Sequence, residues 1–140
     1  VDFPDPANFA LGKLYTSAFY RLLEKRLSAR GQMVVQSTSP LYARQSFWCI
    51  ARTLEDAGFV ATPYHALVPS FGEWGFVLAG RRAYQAPASY PVDTQFLTAE
   101  VTPTLFQFPK DMARVDAEVN RLNNQVLVRY FEHEWRQVIR

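Results

Sequence analysis

The chain holds 140 residues, about one domain, of which 49% are hydrophobic and 15% aromatic, enough to build a core and too many for a disordered chain. Basic residues number 15 against 13 acidic, a net charge of +2 that is too small and too interspersed for a nucleic-acid footprint. One cysteine, Cys49, excludes an intrachain disulfide or a CxxC metal pair, and no apolar run reaches the ~18–20 residues of a membrane span.

The opening VDFPDP sets two acids, Asp2 and Asp5, three positions apart, with a proline behind the second. The single residue before the first acid is too little for a strand of its own. In KLYTSAFYRLLEKRLSARG, Tyr15, Phe19, Leu22, Leu23 and Leu27 recur at helical steps, with Thr16 or Ser17 as start cap and Gly31 as stop. MVVQ, 33–36, is a short β-branched run that fits a buried strand. SPLYARQSFWCIARTLEDAG then reads as a helix with Phe47, Ile50, Ala51 and Leu54 on one face and Gly58 past its end. Its Cys49, flanked by apolar residues, reads as a small core residue.

FVATPYHALVPS reads as an extended segment broken by prolines, and GEWGFVLAG, 72–80, as another strand. Residues 81–108, rich in proline and turn residues, read as loop or one-turn pieces; their Arg81-Arg82 pair reads as a solvated loop. From Pro109 helical spacing resumes, with Met112, Val115, Val119 and Leu122 in one stripe. A second stripe comprises Leu127, Tyr130, Phe131, Trp135 and Val138, so C-terminal helices are expected over 109–140.

Helix, strand, helix, strand, strand after an opening loop argues for a layered α/β arrangement with parallel crossovers and one closing antiparallel strand. Val1 is then the last residue of a preceding strand. The organisation expected is one partial domain: an α/β core over 1–80, a loop-rich segment over 81–108, and helices over 109–140. No charged-then-apolar leader opens the sequence, and a soluble domain is expected.

Three stretches in fixed order carry a resemblance: DFPDP followed by KLYTSAFYRLL, then GQMVVQSTSP, then PYHALVPSFGEWGFVLAG. Together they resemble the C-terminal half of a spermidine synthase, a polyamine aminopropyltransferase, and most of all the bacterial synthase-like branch sometimes fused to a membrane region. FPKDM and NRLNNQ are similar to the tails of that branch. The resemblance implies the C-terminal half of a methyltransferase-like, doubly wound (Rossmann-like) sheet, with last strands at 33–36, about 59–64 and 73–79. Ligands of such sheets bind beyond the carboxyl ends of the strands, where Asp2 and Asp5 fall.

The implied reaction moves an aminopropyl group from the sulfonium of decarboxylated S-adenosylmethionine to putrescine or a similar amine. A protonated amine has no lone pair, so a base must accept its proton and then face the positive charge that moves from sulfur to nitrogen. A diamine also has a second cationic end, which needs its own partner. The resemblance gives Asp2 the catalytic position and has Asp5 bind and orient the amine; spacing alone equally allows both to cap turns. Gln36 resembles a family position lining the pocket, against the alternative of a solvated strand end. Tyr15, in the LY pair, reads as core by its helical spacing.

The PSFGEWGF run departs from the family. Spermidine synthases commonly place a tyrosine before their Pro-Ser-Gly run; aligning the glycines puts Pro69 there, with Tyr64 nearby as a substitute amine contact. Glu73 is read as a further carboxylate for a cationic substrate or a solvated edge residue, and Trp74 as a cation–π wall or core. The amine accepted is therefore left open. His65 reads as structural, and His133 has no partner at metal-ligand spacing.

The family holds the nucleoside half of its substrate with a glycine-rich turn after the first strand and an acid after the second. Neither is found in this sequence, so no cofactor is expected on this chain, decarboxylated S-adenosylmethionine being co-substrate of the full enzyme, and the chain alone is expected to be inactive. Its expected partners are a polyamine, the N-terminal half of the enzyme and, through the open sheet edge, a second copy; nucleic acid is not among them. Its expected location is the cytoplasm, on a parent with or without a membrane anchor. Two other readings stay open: a non-catalytic contact module of the same fold, and a methyltransferase relative.

Overall fold

The computed structural model of the chain describes residues 1–139. In chain order its elements are α1 (Phe9–Gly12), α2 (Ser17–Arg26), β1 (Gln32–Gln36), α3 (Arg44–Asp56), β2 (Val60–Val68), β3 (Gly72–Gly80) and α4 (Val126–Val138), with 3-10 turns at Lys13–Tyr15 and Thr102–Phe106.

The sheet order is β1-β3-β2, with β3 antiparallel to both neighbours. β1 and β2 therefore run parallel, joined through α3, and β3 returns between them. This is the crossover-plus-closing-strand arrangement expected, an α/β half-domain of the methyltransferase-like kind. Val1 continues the sheet beyond β1. Its amine donates to the Val34 carbonyl at 2.8 Å, and its carbonyl accepts from the Gln36 N–H at 3.1 Å, the bonding of a parallel ladder.

The strands match the expected ones within a few residues except β2, which runs unbroken through Pro63. A proline interrupts a central strand but not an edge strand, because there its missing N–H faces no partner, and β2 is an edge. Tyr20, Val35, Phe47, Ile50, Leu54, Val77 and Leu127 form the floor of the core, each at most 1% exposed. The face of β3 carrying Gly75, Val77 and Ala79 packs on α3, where glycine is required at 75: a Cβ there would stand 2.5 Å from the Phe47 ring and 2.8 Å from the Thr38 carbonyl.

α2 starts where expected, with Thr16 Oγ1 accepting from the Phe19 N–H at 3.3 Å. It stops at Arg26, five residues short of Gly31, as Leu27 turns extended. Tyr20, rather than Leu22, faces the core; Leu22 is exposed. α3 has no cap from its own N-cap residue. Glu134 of α4 supplies one, accepting from the N–H groups of Gln45 (2.6 Å) and Ser46 (3.0 Å) and from the Ser46 hydroxyl (2.6 Å). A carboxylate there also opposes the positive end of the helix dipole.

The stripe at 109–125 is not helical, so the C-terminal helix begins only at Val126. That segment lies along α3, and α3 side chains take up part of its backbone. Met112 O accepts from Trp48 Nε1 at 3.0 Å, Ala113 O from Arg44 Nε at 2.7 Å, and the Asn120 N–H donates to Thr53 Oγ1 at 2.9 Å. The buried Cys49 thiol meets the Glu118 carbonyl, and burial pushes it up to about 12, far from a thiolate at neutral pH.

Among the described residues no helix is long and apolar enough to cross a membrane.

Candidate active site

The register places Phe76 opposite Gln36 on one side and Tyr64 on the other. Side chains alternate along a strand, so Gln36, Tyr64, Phe76 and Trp74 share the face turned away from α3. The loop after Val1 folds back over the carboxyl end of β1 on this side. Between loop and sheet lies a cleft of about 430 Å³, lined by Asp2, Phe3, Gln36, Phe71, Trp74 and Phe76 among others. Asp2 is exposed at its mouth, and Phe71 packs on Trp74 with ring centroids 5.2 Å apart.

Gln36 ties the cleft together. With its amide oriented to satisfy both neighbours, it accepts from Trp74 Nε1 at 3.0 Å and donates to the Phe3 carbonyl at 3.2 Å. Asp5 sits deeper, and its Oδ1 is buried without a protein donor. Burial pushes its carboxyl up to about 6. A half-buried carboxylate lacking a cation is costly unless something supplies the charge. The loop carrying both acids is fixed by the Tyr15 hydroxyl, which contacts the carbonyls of Phe3 (3.1 Å) and Pro4 (3.0 Å).

This arrangement pairs one accessible carboxylate with one half-buried carboxylate whose inner oxygen has no protein donor, beside an aromatic wall able to face a cation. It suits an amine better than an anion. The family model of the spermine/spermidine synthase domain matches residues 1–86. The chain belongs to the spermine/spermidine synthase family. It is 55% identical over its whole length to "Polyamine aminopropyltransferase 2" of Ralstonia nicotianae, of which it covers 28%. It is 52% identical over 99% of its length to "Polyamine aminopropyltransferase" of Leptospira interrogans, again covering 28% of that protein. "Polyamine aminopropyltransferase 1" of Streptomyces coelicolor is 41% identical over 97% of the chain. The chain thus spans little more than a quarter of the length of these curated relatives.

Within this family frame the expected site residues divide. Asp2, Gln36 and Trp74 meet in the cleft, and Asp5 lies behind it next to Gln36. Tyr64 does not line the cleft; it stacks on Phe76 at 5.2 Å and so backs the wall from the neighbouring strand. Glu73 faces the other way, as its place beside Trp74 on one strand requires, and pairs with His65. It cannot serve as a third carboxylate for a ligand of this cleft.

Two aromatic wall residues, Phe71 and Phe76, escaped sequence reasoning. The signal was present: in FGEWGF, apolar rings recur around Trp74, and 74 and 76 share strand parity. Phe71 lies in the turn before β3, where no periodicity applies. Among the described residues no three His, Cys, Asp or Glu side chains gather as a metal site does.

Proposed function

We propose that this chain supplies the amine side of an aminopropyltransferase. In that reading Asp2 accepts the proton from the attacking amine and faces the developing ammonium, Asp5 holds the amine substrate, and the Phe71–Trp74–Phe76 wall shields it from water. The aminopropyl group comes from decarboxylated S-adenosylmethionine, whose nucleoside end is bound by sequence outside this chain, and the acceptor is putrescine or a similar diamine. The chain by itself is then a binding unit without turnover, working in the cytoplasm in polyamine biosynthesis.

One observation carries the reading: the accessible Asp2 carboxylate shares its loop with Asp5, whose buried oxygen finds no protein donor. Held at neutral pH, that second acid costs stability unless a cation completes it. A polyamine brings two or more ammonium groups spaced along an apolar stem, which suits two carboxylates and an aromatic wall.

The test is a chimera in which this chain replaces the matching stretch of the Ralstonia nicotianae protein. Incubated with putrescine and decarboxylated S-adenosylmethionine, the chimera is expected to yield spermidine, whereas the isolated chain yields none. A chimera that folds but forms no aminopropyl product, or one that transfers a methyl group from S-adenosylmethionine instead, overturns the proposal.

A further inference from the structure

Tyr15 is 1% exposed and its ring packs edge-on against Phe3, centroids 6.5 Å apart. Packing alone would be served by phenylalanine. Its hydroxyl, however, lies 3.1 Å from the Phe3 carbonyl and 3.0 Å from the Pro4 carbonyl. Those two carbonyls belong to the peptide units between Asp2 and Asp5. Fixing both planes restrains the backbone between the two acids, where the Pro4 ring already locks one torsion.

The Phe3 carbonyl has a second donor, the Gln36 amide at 3.2 Å, which in turn accepts from Trp74 Nε1. An unbroken series of hydrogen bonds therefore runs from the cleft wall on β3, through the end of β1, to the acidic loop and Tyr15. The far side is anchored too. Asn120, wholly buried, donates from Nδ2 to the Tyr15 carbonyl at 3.0 Å and to the Gly12 carbonyl at 3.2 Å. Residue 120 lies beyond the stretch matched by the family model, so the tail takes part in holding the site.

We propose that Tyr15 is a positioning residue of the amine site, its hydroxyl and the Gln36 amide together clamping the Phe3–Pro4 peptide units so that Asp2 and Asp5 engage one cation pair. The role rests on the amine-binding reading above, yet the clamp makes a claim about loop geometry that holds or fails without any amine. The phenol stays protonated and so remains a donor, because burial first, then the charges of Asp5 and Asp2, push its ionisation well above the ordinary tyrosine range.

The experiment compares the 140-residue chain with Tyr15→Phe, Gln36→Leu and the double variant, using carbonyl and carboxyl 13C NMR and titration with spermidine. Tyr15→Phe is expected to move the Phe3 and Pro4 carbonyl resonances and the Asp5 titration midpoint, and to weaken spermidine binding about tenfold, the loss of one buried hydrogen bond. The double variant is expected to fall short of the product of the two single effects, since both donors act through one carbonyl. Unchanged Phe3 and Pro4 carbonyls in a folded Tyr15→Phe chain overturn the clamp. If the unaltered chain binds no spermidine while the resonances shift as expected, the amine reading fails and the clamp stands as a property of the loop. Should Tyr15→Phe lose its fold, the hydrogen–deuterium isotope shift that the Tyr15 hydroxyl imposes on the Phe3 and Pro4 carbonyl carbons of the unaltered chain decides: its presence supports the clamp and its absence overturns it.

Discussion

The Glu73 carboxylate meets Nδ1 of His65, and the same imidazole reaches the Gln107 carbonyl through Nε2 at 2.5 Å. The Phe108 ring lies 4.8 Å from the His65 ring. One histidine thus binds the β2–β3 hairpin to the segment that follows the Thr102–Phe106 turn, on the side of the sheet opposite the cleft.

Glu73→Gln is therefore expected to weaken the fold by about 1 kcal/mol, the value of a partly buried charge-assisted bond, and to leave spermidine affinity unchanged. Thermal denaturation and calorimetric titration of the two proteins check both halves. A drop in affinity without a drop in stability would return Glu73 to the ligand.

Asp5 makes stability fall as pH rises. Its carboxyl ionises near 3.8 in the unfolded chain and at about 6 in the folded one, so the folded state binds the proton more tightly. The stabilisation is complete below the unfolded value and is lost as pH climbs through about 6. Asp5→Asn is expected to stabilise the chain at pH 8 by about 1 kcal/mol, after allowing for the group's partial exposure to solvent, and to make no such difference at pH 3.5. Denaturant midpoints measured at both pH values decide it, and saturating spermidine should narrow the gap at pH 8.

The two acids should separate kinetically in the chimera with the Ralstonia protein. Asp2→Asn is expected to lower kcat by ~10²–10⁴, the usual contribution of a general base, with little change in stability, because Asp2 is exposed. Asp5→Asn is expected to act chiefly on the KM for the diamine. Steady-state rates over a range of putrescine concentrations distinguish the two patterns.

Gly75→Ala probes the contact between sheet and helix behind the site. The added methyl would strike the Phe47 ring, and the Thr38 carbonyl that accepts from the Gly75 N–H at 2.7 Å could not recede without breaking that bond. Thr38 itself holds a left-handed φ of 57° two residues after Gln36, so any shift there reaches the cleft. A loss of about 2–3 kcal/mol is expected from overpacking, together with weakened spermidine binding; equilibrium unfolding and calorimetry measure the pair.

The local sequence determined the elements whose pattern is repeated by their burial. The β-branched run of β1, the alternating β3 and the apolar face of α3 were legible because one side of each is buried against a continuous partner, which imposes a period of two or 3.6. The ordered motifs pointed to Asp2, Asp5 and Gln36, and the departures from them to Tyr64, Glu73 and Trp74; of these, Asp2, Gln36 and Trp74 line the cleft. Tertiary structure alone decided where neighbours replace local bonding. The apolar spacing of Met112, Val115 and Val119 looks helical, yet their segment forms no helix, and α3 side chains take carbonyls of it. Asn120 illustrates the same point: its side chain joins the Tyr15 and Gly12 carbonyls to the Leu127 N–H, partners 105, 108 and 7 residues away. Glu73 departs from its sequence reading for the converse reason, since strand parity shows that 73 and 74 oppose each other but not which of them faces the cleft. That choice was made by His65 and α3 on one side of the sheet and the Asp2 loop on the other, contacts between residues far apart in the chain.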